Sequence, residues 1–308
     1  MKKTLSILMI TVLCIVMTAC GGTSEPVAPA PSNVSGNPVP ADKPKDEQPK
    51  TETVTAEYTI KDYVVADNDQ CQFKINEVKD KKGSAEFSVY CENRTEETNL
   101  MFTIDSCSAN GCAIDPFWAD TVAPGKKAND TFTFNKADLE QYGLSSIDEL
   151  RFELRIYDSD NWMDGNVVED IFTVYPTGKS PDEVVYPRRE EASSDYPIED
   201  NDDFRFVICE SGEGTFWAYY LTVYAENKTD SNVMVTWRDV SVNGYMCDPF
   251  YAVTIPPHSC RYSDVTFSEI AFEDNGIEDV EEIEFGLSVY DNDSWTTQYL
   301  SETYTYSP

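Results

Sequence analysis

The feature that most constrains this chain is that its second half repeats its first. Residues 87–102 (FSVYCENRTEETNLMF) match residues 221–235 (LTVYAENKTDSNVMV), with one extra residue in the first copy. Asn110-Gly111 falls on Asn243-Gly244, Asp115-Pro116-Phe117 on Asp248-Pro249-Phe250, and 122–127 (VAPGKK) on 255–260 (IPPHSC). Residues 144–162 (LSSIDELRFELRIYDSDNW) align without a gap on 277–295 (IEDVEEIEFGLSVYDNDSW), an offset of 133. So many segments in one register require two copies of a single domain, too few and too long for a solenoid.

Within each copy the hydrophobic period is two. Phe87, Val89 and Cys91 alternate with Ser88, Tyr90 and Glu92. Leu150, Phe152, Leu154 and Ile156 alternate with charged neighbours, and Ile283, Phe285, Leu287 and Val289 repeat that set. Such alternation predicts half-buried antiparallel strands. About seven strands per copy, separated by N-x-T, N-G, P-G and D-x-D turns, predict an all-β chain of two tandem immunoglobulin-like antiparallel β-sandwiches, with small barrels as the alternative. One short helix is expected per copy, over Asn135–Tyr142 before Gly143 and from Ser268 towards Gly276, because each glycine stands where a helix C-cap belongs.

The N-terminus runs MKKTLSILMITVLCIVMTAC. Lys2 and Lys3 precede an apolar run from Leu5 to Val16, too short to span a bilayer core and followed by small residues, as in a signal peptide. Thr18-Ala19-Cys20-Gly21-Gly22 resembles the bacterial lipobox. That resemblance implies a diacylglyceryl group on the Cys20 thiol, cleavage before it, and anchoring on the extracytoplasmic face of the cell membrane. Two acyl chains suffice for stable anchoring where one is marginal. Proline, small and charged residues dominate the next stretch to about residue 55, which contains no aromatic residue and reads as an extended tether. The predicted organisation is therefore signal peptide 1–19, disordered tether 20–56, first sandwich 57–175, hinge 176–202 with a stray strand at Val184–Tyr186, and second sandwich 203–308.

A formal net charge of −33 would repel nucleic acid rather than release its counterions. Seven cysteines remain besides Cys14 and Cys20, an odd number. Cys107 and Cys112 flank a turn and are one candidate disulfide; Cys247 and Cys260 are another, across neighbouring strands. An anaerobic source would leave all of them reduced. No C-x-x-C spacing exists, and one histidine is too few for a mixed zinc site.

Sites for chemistry are few. His258, the sole histidine, sits in a Pro-Pro-His-Ser turn at the position of Gly125, with no sign of a nucleophile–base arrangement around it. No G-x-S-x-G, phosphate loop or H-E-x-x-H motif occurs, so no enzyme activity is expected. Tyr157-Asp158-Ser159-Asp160-Asn161-Trp162 and Tyr290-Asp291-Asn292-Asp293-Ser294-Trp295 are hairpin loops in which Asp158, Asp160, Asp164, Asp291 and Asp293 are candidate calcium ligands. An EF-hand would place an oxygen ligand where both copies have tryptophan, and would add a later glutamate. The competing reading is an Asp-closed turn whose tryptophan covers the end of the core, and no cofactor beyond the lipid is expected. Trp118, Trp162, Trp217, Trp237 and Trp295 are candidate stacking platforms for a carbohydrate, although several must belong to the core.

The Asn-Lys/Arg-Thr turn, the Asn-Gly turn and the Tyr-Asp-x-Asp-x-Trp ending resemble the tandem-repeat, immunoglobulin-like lipoproteins and zinc-ribbon proteins of clostridia-type Firmicutes. The resemblance covers most of 71–175 and 203–306; here the lipobox stands in place of the zinc ribbon. It implies fold and location and carries no site residue. The expected function is a non-enzymatic surface module binding a wall polymer or envelope protein. An accessory or solute-binding subunit of a membrane transporter or enzyme complex is the alternative.

Overall fold

The computed structural model describes residues 56–163, 165–215 and 217–308. The expected signal peptide, Cys20, the tether up to residue 55 and Asp164 lie outside these residues. Alternation in the sequence becomes alternation in space. Strands β1 (Lys61–Asp67), β2 (Cys71–Lys81) and β3 (Ser84–Asn93) form successive hairpins, and along β3 every second residue from Ala85 to Asn93 is buried. The chain then crosses to β4 (Leu100–Ala109), β5 (Cys112–Ala113) and β6 (Ala119–Val122) and returns as β7 (Lys127–Phe134) beside β3. After α1 (Lys136–Gln141) it crosses again to β8 (Leu150–Asp158) and β9 (Asn166–Val174). The sheet β1-β2-β3-β7 and the strands β6, β4, β8 and β9 contribute to one hydrophobic core, the Greek-key pattern of an antiparallel sandwich.

The second half repeats this order as β10 (Tyr196–Asp200), β11 (Phe204–Gly212), β12 (Tyr219–Asn227), β13 (Val233–Val242), β14 (Tyr245–Met246), β15 (Ala252–Ile255), β16 (Cys260–Phe267), α2 (Glu269–Asn275), β17 (Ile283–Asp291) and β18 (Gln298–Tyr306). It has a core of its own, in which Trp237 stacks on Phe285 with ring centroids 3.8 Å apart. Both predicted helices are present, and Gly143 and Gly276 follow them with φ of 69° and 65°, the left-handed conformation that glycine adopts without strain. No helix among the described residues is long and apolar enough to cross a membrane.

Matched sequence signatures perform matched work. Asn93 and Asn227, each 1% exposed, lead the N-x-T turns. The Asn93 amide donates to Thr98 O and Val122 O while its oxygen accepts from Thr95; Asn227 does the same with Ser231 O, Ile255 O and Thr229. Asn110 and Asn243 turn their hairpins with φ of 48° and 50°. Each also accepts two backbone N–H groups from the approach to the next long strand, at Asp148 and Glu149 and at Glu281 and Glu282. Amides used this fully are fixed by satisfaction of their polar atoms rather than by size.

Two expectations need correction. Residues 176–202 are not a bare hinge: Tyr196–Asp200 forms the edge strand β10, Pro181–Glu183 is a single 3-10 turn, and Val184 is 8% exposed in place of a stray strand. The two sandwiches also share a sheet. β16 pairs in parallel with β5 at Cys260 and Cys112, Cys260 N–H donates to Gly111 O, and Tyr262 N–H donates to Tyr142 Oη at 2.8 Å. Tyr224 and Cys260 therefore belong to the first core although they come from the second copy, which explains why Val223, Tyr224 and Ala225 are buried in succession.

Candidate functional site

The aspartates chosen from sequence close turns. Asp158 Oδ1 accepts Asp160 N–H at 2.9 Å, and Asp160 Oδ2 accepts from the Asn99 amide. Asp291 Oδ1 accepts from Asp293 and Ser294, and the hydrogen bond from Ser294 N–H holds its carboxyl below the ordinary value. No group of three or more His, Cys, Asp or Glu among the described residues is arranged to hold a metal ion. The tryptophans after these turns do not cover the core: Trp162 and Trp295 are each 65% exposed, and Trp295 packs on Tyr290 instead. Trp118 and Trp237 are the core residues of the five, at 7% and 5%, which removes them as stacking platforms.

All seven described cysteines are free thiols, and the juxtaposed pair is not one expected from spacing. Cys112 Sγ lies 3.7 Å from Cys260 Sγ, at the single parallel bridge between the copies. Cys107 instead belongs to the first core and Cys247 to the second. The Cys112 hydrogen bond pulls the Cys260 thiol below its ordinary value, helped by Tyr224 Oη and the Arg188 guanidinium, against the cost of burial. The reciprocal contact and burial push Cys112 up.

Between the copies lies a cleft of about 460 Å³ that joins the Asp105–Cys107 bend to Thr254, Arg261 and Asp293 of the second copy. Ser106 Oγ, on its wall, donates to Asn232 Oδ1 of the second copy at 2.7 Å. Glu153 is the central carboxylate. Burial pushes its carboxyl above the ordinary value, Asp105, Asp293 and Glu169 push it further, and Arg155 opposes them. Arg155 reaches Asp105 at 3.4 Å and Glu169 at 3.7 Å.

The matched Asp-Pro-Phe segments place exposed aromatic rings at equivalent positions of the two copies. Asp115 Oδ1 accepts Phe117 N–H at 2.7 Å, and Asp248 Oδ1 accepts Phe250 N–H at 2.9 Å. These turns hold both phenylalanines at φ of 48° and leave them 88% and 90% exposed. Left-handed backbone costs a non-glycine residue roughly 1–2 kcal/mol, and an exposed ring returns none of it.

A second open feature lies in the second copy, at a place where the first copy has a smaller pocket of about 310 Å³ beside its entry segment. Beside α2 a groove of about 700 Å³ runs over Phe272, Ile277 and Val280, with Trp217, 47% exposed, on its wall. Five carboxylates line it, from Glu213, Glu269, Glu273, Glu278 and Asp279, and among the described residues no basic side chain does.

No family model and no curated protein matches the chain. Among solved structures, the Salmonella enterica SafA pilin in complex with the SafB chaperone is 13% identical over 79% of this chain and 98% of that one, with a TM-score of 0.22. Red sea bream transglutaminase is 9% identical over 73% of this chain and 29% of that one, with a TM-score of 0.20. Both likenesses are too slight to argue from.

Proposed function

We propose that this chain is a lipid-anchored, extracytoplasmic, non-enzymatic module that holds an envelope partner through aromatic tips repeated in its two sandwiches. The observation that carries the reading is the pair Phe117 and Phe250, held at matched positions in the same unfavourable backbone conformation with almost all of each ring in solvent. Strained residues and exposed apolar groups gather where a protein makes contacts. Two equivalent tips on one joined pair allow bivalent engagement, in which the second contact forms at high effective concentration. The lipobox at Cys20 and the resemblance to clostridial repeat lipoproteins support the location. Binding of the purified chain to isolated cell envelopes tests this: Phe117→Ser and Phe250→Ser each weaken retention, and together they abolish it at the same protein concentration. Retention unchanged in the double variant would sink the reading. The anchor is tested by palmitate labelling, which Cys20→Ala should eliminate.

The alternative, a solute-binding or accessory subunit, draws on the cleft between the sandwiches, where Arg155 and Arg261 face carboxylates in a volume fit for a small polar solute. It requires Glu153→Ala to abolish solute binding while leaving envelope retention intact.

A further inference from the structure

The two copies differ most where the chain enters each sandwich. In the first, residues 56–60 lie along the sandwich ahead of β1. Tyr58 and Ile60 pack against the core, Tyr58 Oη accepts Ile147 N–H at 3.3 Å, and Ala56 N–H donates to Asp80 Oδ2. Thr59 and Ile60 donate to Pro176 O, which fastens the segment along its backbone. Ile147 beneath it is 0% exposed.

The register places Tyr63 on Tyr196, paired with Ile75 and Ile208 respectively, so Tyr58-Thr59-Ile60 corresponds to Glu191-Ala192-Ser193. Those residues carry no apolar cover. Ala192 N–H turns back onto Asp195, and Glu191 pairs outward with Arg205. The counterparts of the covered residues are left open: Ile147 becomes Val280, half-buried, and Asp80 becomes Glu213. Both line the groove beside α2. What the first copy covers with its entry segment, the second leaves without apolar cover among the described residues.

Charge then narrows the occupant. At the positions of the five groove carboxylates the first copy has Asp80, Lys136, Glu140, Ser145 and Ser146, so a nearly balanced rim has become wholly acidic. A second copy of this chain is a poor occupant, because the segment it could lend carries Glu57 beside Tyr58. We infer that the groove beside α2 binds an extended polypeptide segment of another protein, one that presents an aromatic side chain next to lysine or arginine, in the place that Tyr58 takes in the first copy. The aromatic ring would rest on Ile277 and Val280 beside Trp217, and the basic groups would meet Glu278 and Asp279. This site involves neither Phe117 nor Phe250, so it stands or falls separately from the function proposed above.

Fluorescence polarisation of labelled peptides on the full chain tests it. The peptide Lys-Lys-Tyr-Thr-Ile-Lys should bind saturably with one-to-one stoichiometry, while Glu-Glu-Tyr-Thr-Ile-Glu and Lys-Lys-Ser-Thr-Ser-Lys should not. Reversal of the exposed rim by Glu278→Lys with Asp279→Lys should weaken binding at least about tenfold, and raising the salt should weaken the parent in the same direction. Glu191→Tyr with Ser193→Ile, which offers the groove a cover of its own, should compete with the peptide. Native near-UV circular dichroism with no peptide binding would overturn the inference, as would equal affinity for the acidic peptide or indifference to rim reversal. Self-association of the chain that Tyr58→Ser abolishes would also overturn it, by making a second copy the occupant.

Discussion

The two sandwiches share strand order, helix position and four turn signatures, yet their surfaces have diverged in opposite senses. The first copy is covered: its entry segment lies over Ile147, and Lys179 and Thr177 reach back to the buried Asp148. The second is open at the matched place, where Val280 is half-buried and Glu281 exposed. The lesson is that the shared framework lies in the alternating strands and the asparagine clamps, while ligand access is set by a few residues ahead of the first strand of each copy.

The sharpest way to break the comparison is to cut into each core separately. Phe87 stacks on Phe132 in the first core, and Phe285 on Trp237 in the second. Phe87→Ala and Phe285→Ala should each cost about 3–5 kcal/mol, through lost burial and the cavity left behind. Because Tyr224 and Cys260 sit in the first core, both variants should lower one shared midpoint in urea. Two separable transitions, each responding to one variant, would show that the sandwiches are independent.

Ile147→Asp and Val280→Asp place the same carboxylate at matched positions with unequal cover. The first should cost on the order of 3–4 kcal/mol, since it buries an unpaired charge under Tyr58, and the second only about 1. Equal losses in chemical denaturation would mean that the groove is covered in solution. A smaller effect concerns the joint between copies. Copper-catalysed oxidation of the intact protein should join Cys112 to Cys260, recovered as one cross-linked peptide pair, and raise the unfolding midpoint by an amount worth about 2–4 kcal/mol. Recovery of Cys107–Cys112 or Cys247–Cys260 would restore the pairs suggested by spacing.

Most of the framework was legible in the sequence because it is local. Period-two patterning marks Leu150–Ile156 and Ile283–Val289, and glycine marks the ends of both helices. The joint was not legible: Cys112 and Cys260 are 148 residues apart, and no short-range pattern reports a parallel bridge between two copies. The strand Tyr196–Asp200 was hidden by its proline and acids, which suit an edge strand that is only partly buried. Trp162 and Trp295 were misplaced because an aromatic residue after a turn suits both a core lid and an exposed tip. The groove does have a signal in the sequence: extending the offset of 133 to the entry segments sets Tyr58 against Glu191, where the apolar cover is missing.

The cleft gives a pH-dependent contrast. Glu153 corresponds to Gly286, so only the first copy brings a carboxylate to this point. Its carboxyl is raised by burial first and by Asp105, Asp293 and Glu169 next. A carboxyl that holds its proton more tightly folded than unfolded stabilises fully below its unfolded value, and that contribution is lost as pH rises through the folded value. Glu153→Gln should therefore raise the Tm at pH 7 by on the order of a few °C. The gain should shrink as pH falls through about 4 and disappear towards about pH 3, where the parent carboxyl is protonated in both states. A gain independent of pH would point to altered packing.

The smallest effect isolates backbone conformation from everything else. Gly125 and His258 occupy one turn position, with φ of 63° and 53°. A Cβ on Gly125 would meet nothing within 4 Å, so space does not separate the two residues. Gly125→His should thus cost only the left-handed strain, about 1 kcal/mol, less whatever glycine loses in chain entropy. His258→Gly removes the same strain and also an exposed contact to Asp230 at 2.8 Å, so it should stabilise by no more than about 0.5 kcal/mol. Opposite signs in paired urea titrations would establish that the two turns are equivalent and that the histidine has only replaced a glycine. A loss on His258→Gly would instead show that the imidazole's contact with Asp230 outweighs the strain.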